Sequence, residues 1–170
     1  MIEYVPIAAI DPEQVEHLLD RAFGADRHNR TAYRIRDGMA AIPELSFAAV
    51  EDGAMLGTIQ CWPIRFAGDD GVDVPMVQLG PVAVDPARQQ GGIGRALTAH
   101  ALAAAEAAGL ADVITLIGDP EYYQRFFGFD ASRTAAWRVP GPVERHRLLA
   151  RGPKVPEGAG MLGPRITAIA

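Results

Sequence analysis

The chain has 170 residues and a formal net charge of −5, with 49% hydrophobic and 22% charged residues. This length and composition predict one soluble globular domain with its own hydrophobic core. The acidic balance, without a long run of Lys or Arg, argues against a nucleic-acid partner. The single cysteine, Cys61, excludes an internal disulfide and a Cys-based metal cluster.

No stretch of the sequence predicts export or membrane insertion. The N-terminal sequence MIEYVPIAAIDPEQ lacks a basic segment and a sustained apolar run, so it does not have the pattern of a signal peptide. The most apolar longer segment, residues 96–116, is interrupted by His100, Glu106, Gly109 and Asp112. We therefore expect a cytoplasmic protein with no membrane partner and no metal.

The N-terminal residues predict a strand followed by two helices. Residues 2–10 have a strand pattern, and Asp11-Pro12-Glu13 then has the capping acid, the Pro and the early acid that begin a helix. This helix is predicted to run to about Phe23 and to end at Gly24. A second, short helix is predicted from Thr31 to Arg36.

An antiparallel meander follows. Residues 45–50 and 55–66 are strand-like on either side of the turn at 51–53, which predicts a hairpin. After a Gly- and Asp-rich loop at 67–73, residues 75–84 predict a third strand. Gly80-Pro81 interrupts it, because Pro removes one donor from the ladder of hydrogen bonds.

The next segment predicts a strand, helix, strand unit. A helix is expected at about residues 92–108, ended by Gly109, and the continuous apolar run at 113–117 suits a strand buried on both faces. The two strands are expected to be parallel, with a right-handed crossover. The inward positions predicted for the helix are Ile93, Leu97, Ala101, Ala104 and Ala108.

The C-terminal part is less regular. Asp119-Pro120-Glu121 predicts the beginning of another short helix. Residues 151–164 are rich in Gly and Pro and are interpreted as a surface loop, and residues 165–170 as a candidate last strand.

The glycines at 91, 92 and 94 lie where a strand passes into a helix, which is a natural anion site because the first N–H groups of a helix lack intrahelical partners. A P-loop is excluded because no Gly-Lys-Ser/Thr follows. A dinucleotide fingerprint also fails, since Leu97 stands where its third glycine is required. On their own, the glycines fit a simple tight turn equally well.

The sequence Gln89-Gln90-Gly91-Gly92-Ile93-Gly94 resembles the Gln/Arg-x-x-Gly-x-Gly/Ala signature of the GCN5-related N-acetyltransferases (GNAT). The order of elements from residue 2 to 130 is similar to that superfamily. Residues 79–84 and 118–129 look like its bacterial YhbS-type subgroup. The resemblance implies a mixed α/β fold of the α+β kind: a mostly antiparallel central sheet, a βαβ unit that binds acetyl-CoA, and flanking helices. It also implies a single N-acetyltransferase domain over 1–170, with 130–170 as a less regular extension.

The resemblance implies where acetyl-CoA binds. The turn would hold the pyrophosphate through backbone N–H groups, and the backbone of the preceding strand would pair with pantetheine. Relatives often have Gly at position 90 and Arg at 91, so this chain lacks one guanidinium contact, and whether Arg88 or Arg95 replaces it is left open. The implied cofactor-binding residues are Val82, Ala83, Val84, Gln89, Gln90, Gly91, Gly92, Ile93, Gly94 and Arg95.

The resemblance also assigns a catalytic residue, Tyr123, which would stabilise the departing thiolate of CoA by a hydrogen bond. Counted from Asp119-Pro120 the family spacing is intact, whereas counted back from Gly128 there is one extra residue. If the insertion falls early in the helix, Tyr122 takes the role. Otherwise Tyr122 is a core aromatic residue.

No general base stands out. Glu44, His28, His100 and Asp119 could be proposed, but Asp119 is better explained as a helix cap and His100 lies on the polar side of a helix. Many family members are thought to deprotonate the amine through ordered water. Cys61 is interpreted as a small core residue, and the acidic stretch 69–73 as a solvated loop.

These observations predict an N-acetyltransferase that moves an acetyl group from acetyl-CoA to a primary amine of an unidentified small molecule or peptide, by direct attack in a ternary complex. The alternative is a non-catalytic acyl-CoA-binding or regulatory module on the same fold. A nucleotide-binding enzyme of Rossmann type is disfavoured by Leu97. Homodimers are common in the superfamily, and the oligomeric state of this chain is left open.

Overall fold

The computed structural model describes residues 1–89 and 91–166. Within these residues the chain forms four α-helices and eight β-strands. The helices are α1 (Pro12–Phe23), α2 (Thr31–Ile35), α3 (Ile93–Ala107) and α4 (Pro120–Phe127). The strands are β1 (Glu3–Pro6), β2 (Phe47–Glu51), β3 (Ala54–Gly68), β4 (Asp73–Val84), β5 (Ile114–Ile117), β6 (Trp137–Arg138), β7 (Leu148–Arg151) and β8 (Gly160–Pro164).

Local sequence signals determine where α1 and α4 begin and end. The Asp11 carboxylate accepts a hydrogen bond from the Glu13 N–H at 3.0 Å, and Asp119 accepts one from the Glu121 N–H at 3.0 Å. Gly24 and Gly128 stand at the C-terminal ends of these helices, both with positive φ. The predicted start and end of α1 and the predicted start of α4 are therefore confirmed.

The chain divides into two units. Unit 1 consists of the described parts of Met1–His28, Ala41–Cys61 and Leu79–Gly109. Its strands follow the order β1-β2-β3-β4, and β2 pairs antiparallel with both β1 and β3. In one cluster of its core, Val15, Leu18 and Leu19 of α1 pack with Ala83 of β4.

Unit 2 consists of the described parts of Asn29–Ala40, Trp62–Gln78 and Leu110–Ala170. β4 pairs with β5 in parallel, β5 with β7 antiparallel, and β8 runs antiparallel to β3 and parallel to β6. The parallel β4–β5 pair with α3 between them in sequence confirms the predicted strand, helix, strand unit. The core is built from Ile35, Ile64, Phe66, Met76, Trp137, Leu148, Ala150, Val155 and Leu162.

Four predictions about elements were wrong in whole or in part. The first strand stops at Pro6, after which Ile7–Ala9 forms a 3-10 turn. On α3, Ala104 is only half-buried and Ala108 is exposed. The buried face of the helix continues from Ala101 to Ala105, four residues later, and it is wider than predicted. The further buried positions are Thr98 and Leu102.

The third wrong prediction is the surface loop at 151–164. Arg151 ends β7, and β8 occupies Gly160–Pro164. The glycine at 160 reflects close packing, since a Cβ there would collide with the Phe66 ring. The strand predicted at 165–170 is not formed at Arg165 and Ile166, and the rest of it lies outside the described residues.

Candidate active site

The C-terminal end of β4 presents its side chains alternately to two sides. Ala83 is buried in the cluster with α1. Val82 and Val84 point the other way, toward α3, and a Cβ placed on Gly94 would lie 3.7 Å from Val82 Cγ1 and 3.5 Å from Val84 Cγ2. The side chains of these residues are therefore used for packing, so any role in binding falls to their backbone groups.

A short polar turn connects β4 to α3. The Asp85 carboxylate accepts a hydrogen bond from the Ala87 N–H at 3.0 Å and one from Arg21 at 3.2 Å. Gln89 is exposed, and the Gly91 N–H donates to the Arg88 carbonyl at 3.3 Å. Gln90 lies outside the described residues. The turn thus connects the predicted binding residues at the end of β4 with those in the first turn of α3.

The beginning of α3 differs from those of α1 and α4. Gly92 is its N-cap, with φ 72° in the left-handed region, and no side chain caps the helix among the described residues. The first intrahelical N–H is that of Ala96, which donates to the Gly92 carbonyl at 3.0 Å. The preceding N–H groups, from Ile93 to Arg95, are thus the donors that an anion at a helix N-terminus uses, and the helix dipole favours negative charge there.

The space around this turn is open. A Cβ on Gly92 would meet no atom within 4 Å, and one on Gly91 would make only ordinary contacts. Arg88 donates to the Glu51 carboxylate at 3.2 Å, and Arg95 is exposed in the first turn of α3. Backbone donors at a helix N-terminus and an open approach are features that fit a pyrophosphate.

Tyr123 lies on α4, in unit 2, with its ring against Gly118. A Cβ on Gly118 would be 2.6 Å from Cε2 of the tyrosine ring, so the ring occupies the space that another residue would need. The ring also packs edge-on against Tyr122 at 5.0 Å and Phe129 at 6.0 Å between centroids. Burial, with smaller contributions from Tyr122 and Asp119, raises the pKa of the Tyr123 hydroxyl to about 12. At neutral pH this hydroxyl is therefore protonated and able to donate.

The surroundings of the other residues considered in the sequence analysis account for them structurally. Burial raises the pKa of the Cys61 thiol to about 12, so the thiolate needed for acyl transfer is not populated. His100 is exposed and its ring stacks on Tyr4 at 5.7 Å. Asp119 caps α4, and both oxygens of Asp69 accept from Arg138, at 2.7 and 2.9 Å.

Two glycines important for the site were missed in the sequence. Gly118 makes room for Tyr123. Gly57 on β3 lies where a Cβ would be 2.9 Å from the Ala83 carbonyl oxygen and 3.1 Å from Ile93 Cγ2. A glycine inside a strand pattern is the available signal for such a close approach. Among the described residues no group of three or more His, Cys, Asp or Glu side chains could hold a metal, and no helix is long and apolar enough to cross a bilayer.

The geometry of the glycine turn agrees with the comparison to protein families. The model of the Acetyltransferase (GNAT) family matches residues 13–129 of this chain. The chain belongs to the GNAT family. The match includes α3 with its turn and α4 with Tyr123, and it ends before β6, β7 and β8.

Relatives and solved structures of GNAT proteins agree with this assignment. The uncharacterized N-acetyltransferase YhbS of Escherichia coli K12 is 32% identical over 145 residues, covering 82% of this chain and 83% of that protein. A GNAT family acetyltransferase from Brucella melitensis in complex with acetyl-CoA is 27% identical, with a TM-score of 0.65 and 94% of each chain covered.

The fold of the E. coli protein is also similar. The crystal structure of YhbS in complex with CoA superimposes with a TM-score of 0.68, at 23% identity, over 95% of this chain and 88% of that chain. The predicted family and the predicted fold, a mostly antiparallel sheet with flanking helices, are therefore confirmed for this GNAT chain.

Proposed function

We propose that this GNAT chain is an acetyl-CoA-dependent N-acetyltransferase that acetylates a primary amine of a small molecule or peptide in a ternary complex. The observation that carries the proposal is the first turn of α3, which begins at Gly92, has no side-chain cap among the described residues, and directly follows the strand β4 and its turn. The acetyl-CoA bound to the Brucella melitensis relative supports this assignment.

In the proposed complex, acetyl-CoA supplies an acetyl group held as a thioester. The N–H groups from Gly92 to Arg95 hold its pyrophosphate, with Gln89 and Gly91 at the edge of the turn. The backbone of Val82, Ala83 and Val84 pairs with pantetheine as an added strand does. Gln90, also proposed to contact the cofactor, lies outside the described residues. The packing of the two valines on Gly94 supports a backbone role for β4.

The proposed transfer forms a bond from the acceptor nitrogen to the acetyl carbon and breaks the carbon–sulfur bond. One proton is lost by the amine, through ordered water, and one is gained by the departing sulfur. Tyr123 donates its O–H hydrogen bond to that sulfur, and its pKa of about 12 supports a role in which the proton is shared rather than fully transferred. Cytoplasmic location, a single domain and a homodimer stay predictions.

The proposal is tested with the purified chain. Isothermal titration with acetyl-CoA measures binding, and release of free thiol in the presence of a panel of primary amines measures transfer. We expect binding, together with thiol release that depends on at least one amine. Failure to bind acetyl-CoA would overturn the proposal. Tight binding without transfer to any amine would contradict the enzyme and favour the non-catalytic acyl-CoA-binding module.

A further inference from the structure

Unit 2 contains an open cavity of about 460 Å³ at the C-terminal end of β5. Ile117, the last residue of β5, lines it together with Thr31 and Val143. Three arginines and one glutamate also line it: Arg30, Arg34, Arg147 and Glu144. Its volume lies within the range of small-molecule sites, about 300–1,000 Å³.

The charge in this cavity is predominantly positive. The Glu144 carboxylate also lies close to His146, whose Nε2 is 3.5 Å from it. Arg34 donates one hydrogen bond to the Pro140 carbonyl at 3.3 Å, which uses one of the five N–H groups of a guanidinium. Within the described part of the chain, neither Arg34 nor Arg147 forms an ion pair.

Arginines elsewhere in the chain are used differently. The buried Arg27 is paired with Glu16 and Asp20, and Arg138 is paired with Asp69. These guanidinium groups are matched by carboxylates of the protein itself. Among the described residues, Arg34 and Arg147 have no carboxylate matched to them in this way, so an anionic ligand would balance their charge.

The cavity adjoins Tyr123 within unit 2. The N–H of Gly118, against which the Tyr123 ring packs, donates to the Arg147 carbonyl at 3.0 Å. The positive charge of Arg147 is near enough to lower the pKa of Tyr123, against the larger effect of burial. Within unit 2, Arg147 therefore links the cavity to the surroundings of Tyr123, the residue proposed to act on the leaving sulfur.

We propose that the acceptor is an amine that also carries an anionic group, a carboxylate or a phosphate, and that Arg34 and Arg147 bind this group. The inference rests on the proposed acetyl transfer. Arginine suits both anions because its planar fork can donate two hydrogen bonds to either. Polyamines and other polycations are excluded by the same charges.

The first experiment compares matched acceptors by thiol release with saturating acetyl-CoA. β-Alanine is paired with β-alaninamide, and O-phosphoethanolamine with ethanolamine, so each pair differs in its anionic group. We expect kcat/KM at least about tenfold higher for one anionic member than for its neutral partner. The pair with the larger ratio identifies the anion as carboxylate or phosphate. Equal or better use of the neutral amines, or of spermidine, would overturn the inference while leaving the acetyltransferase proposal in place.

The second experiment assigns the effect to the cavity. Arg147→Gln and, separately, Arg34→Gln should reduce kcat/KM for the anionic amine about tenfold, chiefly through KM, and leave the affinity for acetyl-CoA unchanged. Arg147→Lys should recover part of the loss, because it keeps the charge and loses the fork. Arg125→Gln, an exposed arginine of α4, is the control and should change neither.

A binding measurement separates the two proposals. Titration with glutarate, with CoA present in excess to fill the cofactor site, should give heat with the wild-type chain and none with Arg147→Gln. Such binding without acetylation of any amine would retain the anion site and overturn the acetyltransferase. An unchanged response in both arginine variants would overturn the anion site.

Discussion

At Tyr123, burial and hydrogen-bonding capacity act together. The Tyr123 ring packs on Gly118 and Phe129, and burial raises the pKa of its hydroxyl to about 12. A group that keeps its proton can stabilise a developing thiolate by donating a hydrogen bond throughout the neutral pH range. The sequence could name this tyrosine only from the family resemblance, since its burial depends on residues on both sides of α4.

Replacing Tyr123 with Phe should lower kcat for acetyl transfer by about 10- to 100-fold, because the ring and its packing are kept while the donor to the sulfur is lost. The KM for acetyl-CoA should change little. Steady-state thiol release checks both values. Tyr122→Phe is the matched control, with activity near that of the wild type. The opposite ranking of the two variants would assign the role to Tyr122.

The same tyrosine should make the stability of the chain sensitive to alkaline pH. Its pKa is about 12 in the folded state against about 10 for a solvent-exposed tyrosine, so its contribution to the free energy of unfolding is complete below pH 10 and is lost as the pH rises through 12. At pH 11 the wild type should have lost about 1 kcal/mol more of its free energy of unfolding than Tyr123→Phe.

Urea unfolding of both proteins at pH 9, 10 and 11 measures this difference. Cys61 also has a pKa raised to about 12, but it is present in both proteins and cancels in the comparison. Identical pH dependence of the two proteins would show that the Tyr123 hydroxyl is accessible to solvent in the folded state.

At the scale of single elements, the helices show which signals are local. Asp11 and Asp119 accept from N–H groups two residues along the chain, and such starts can be predicted from three residues. The beginning of α3 is equally local, with Gly92 at φ 72°. These local patterns correctly placed α1, α3 and α4. They could not show that α3 has no side-chain cap among the described residues.

Gly92→Asp should weaken the binding of CoA at least about tenfold, because a carboxylate at the N-terminus of α3 competes for the same N–H groups and repels the pyrophosphate. The fold should be retained, since Asp is among the residues that tolerate the left-handed region and a Cβ here meets no atom within 4 Å. Isothermal titration measures the affinity.

Gly38→Asp is the matched control for this variant. Gly38 also has positive φ, 76°, and also has open space where the Cβ would lie, so backbone strain and added charge are comparable. CoA affinity should be unchanged in this control. If both variants bind CoA equally well, the turn at Gly92 does not hold the pyrophosphate.

At the scale of the whole chain, some features depend on contacts between residues far apart in sequence, and local sequence patterns do not predict them. β8 pairs with β3, about a hundred residues earlier, so its Gly-rich sequence has no strand pattern of its own and was interpreted as a loop. The arginines of the cavity come from positions 30, 34 and 147 and form a group only in the fold. By contrast, the family and the sheet could be predicted because the glycine turn and the strand order lie within continuous segments.

Gly57→Ala should lower the free energy of unfolding of the chain by about 1–3 kcal/mol, because the added methyl would lie 2.9 Å from the Ala83 carbonyl oxygen, which is backbone and cannot rotate away. Urea denaturation measures the loss. Gly163→Ala, also in a strand but with nothing within 4 Å of its Cβ, is the control and should change the value by less than about 0.5 kcal/mol. Equal stability of the two variants would mean that β3 moves to admit the methyl group.

The segment after residue 129 has a further consequence for engineering. It lies beyond the family match, yet it supplies Trp137 and Leu148 to the core of unit 2, so truncation at the end of the match would leave that core open. The same segment contributes Val143 and Arg147 to the cavity, whereas the turn at Gly92 lies far upstream in sequence. If the proposed sites are correct, grafting residues 140–147 from a relative, with the core positions on either side retained, should alter the acceptor preference and leave the affinity for acetyl-CoA unchanged.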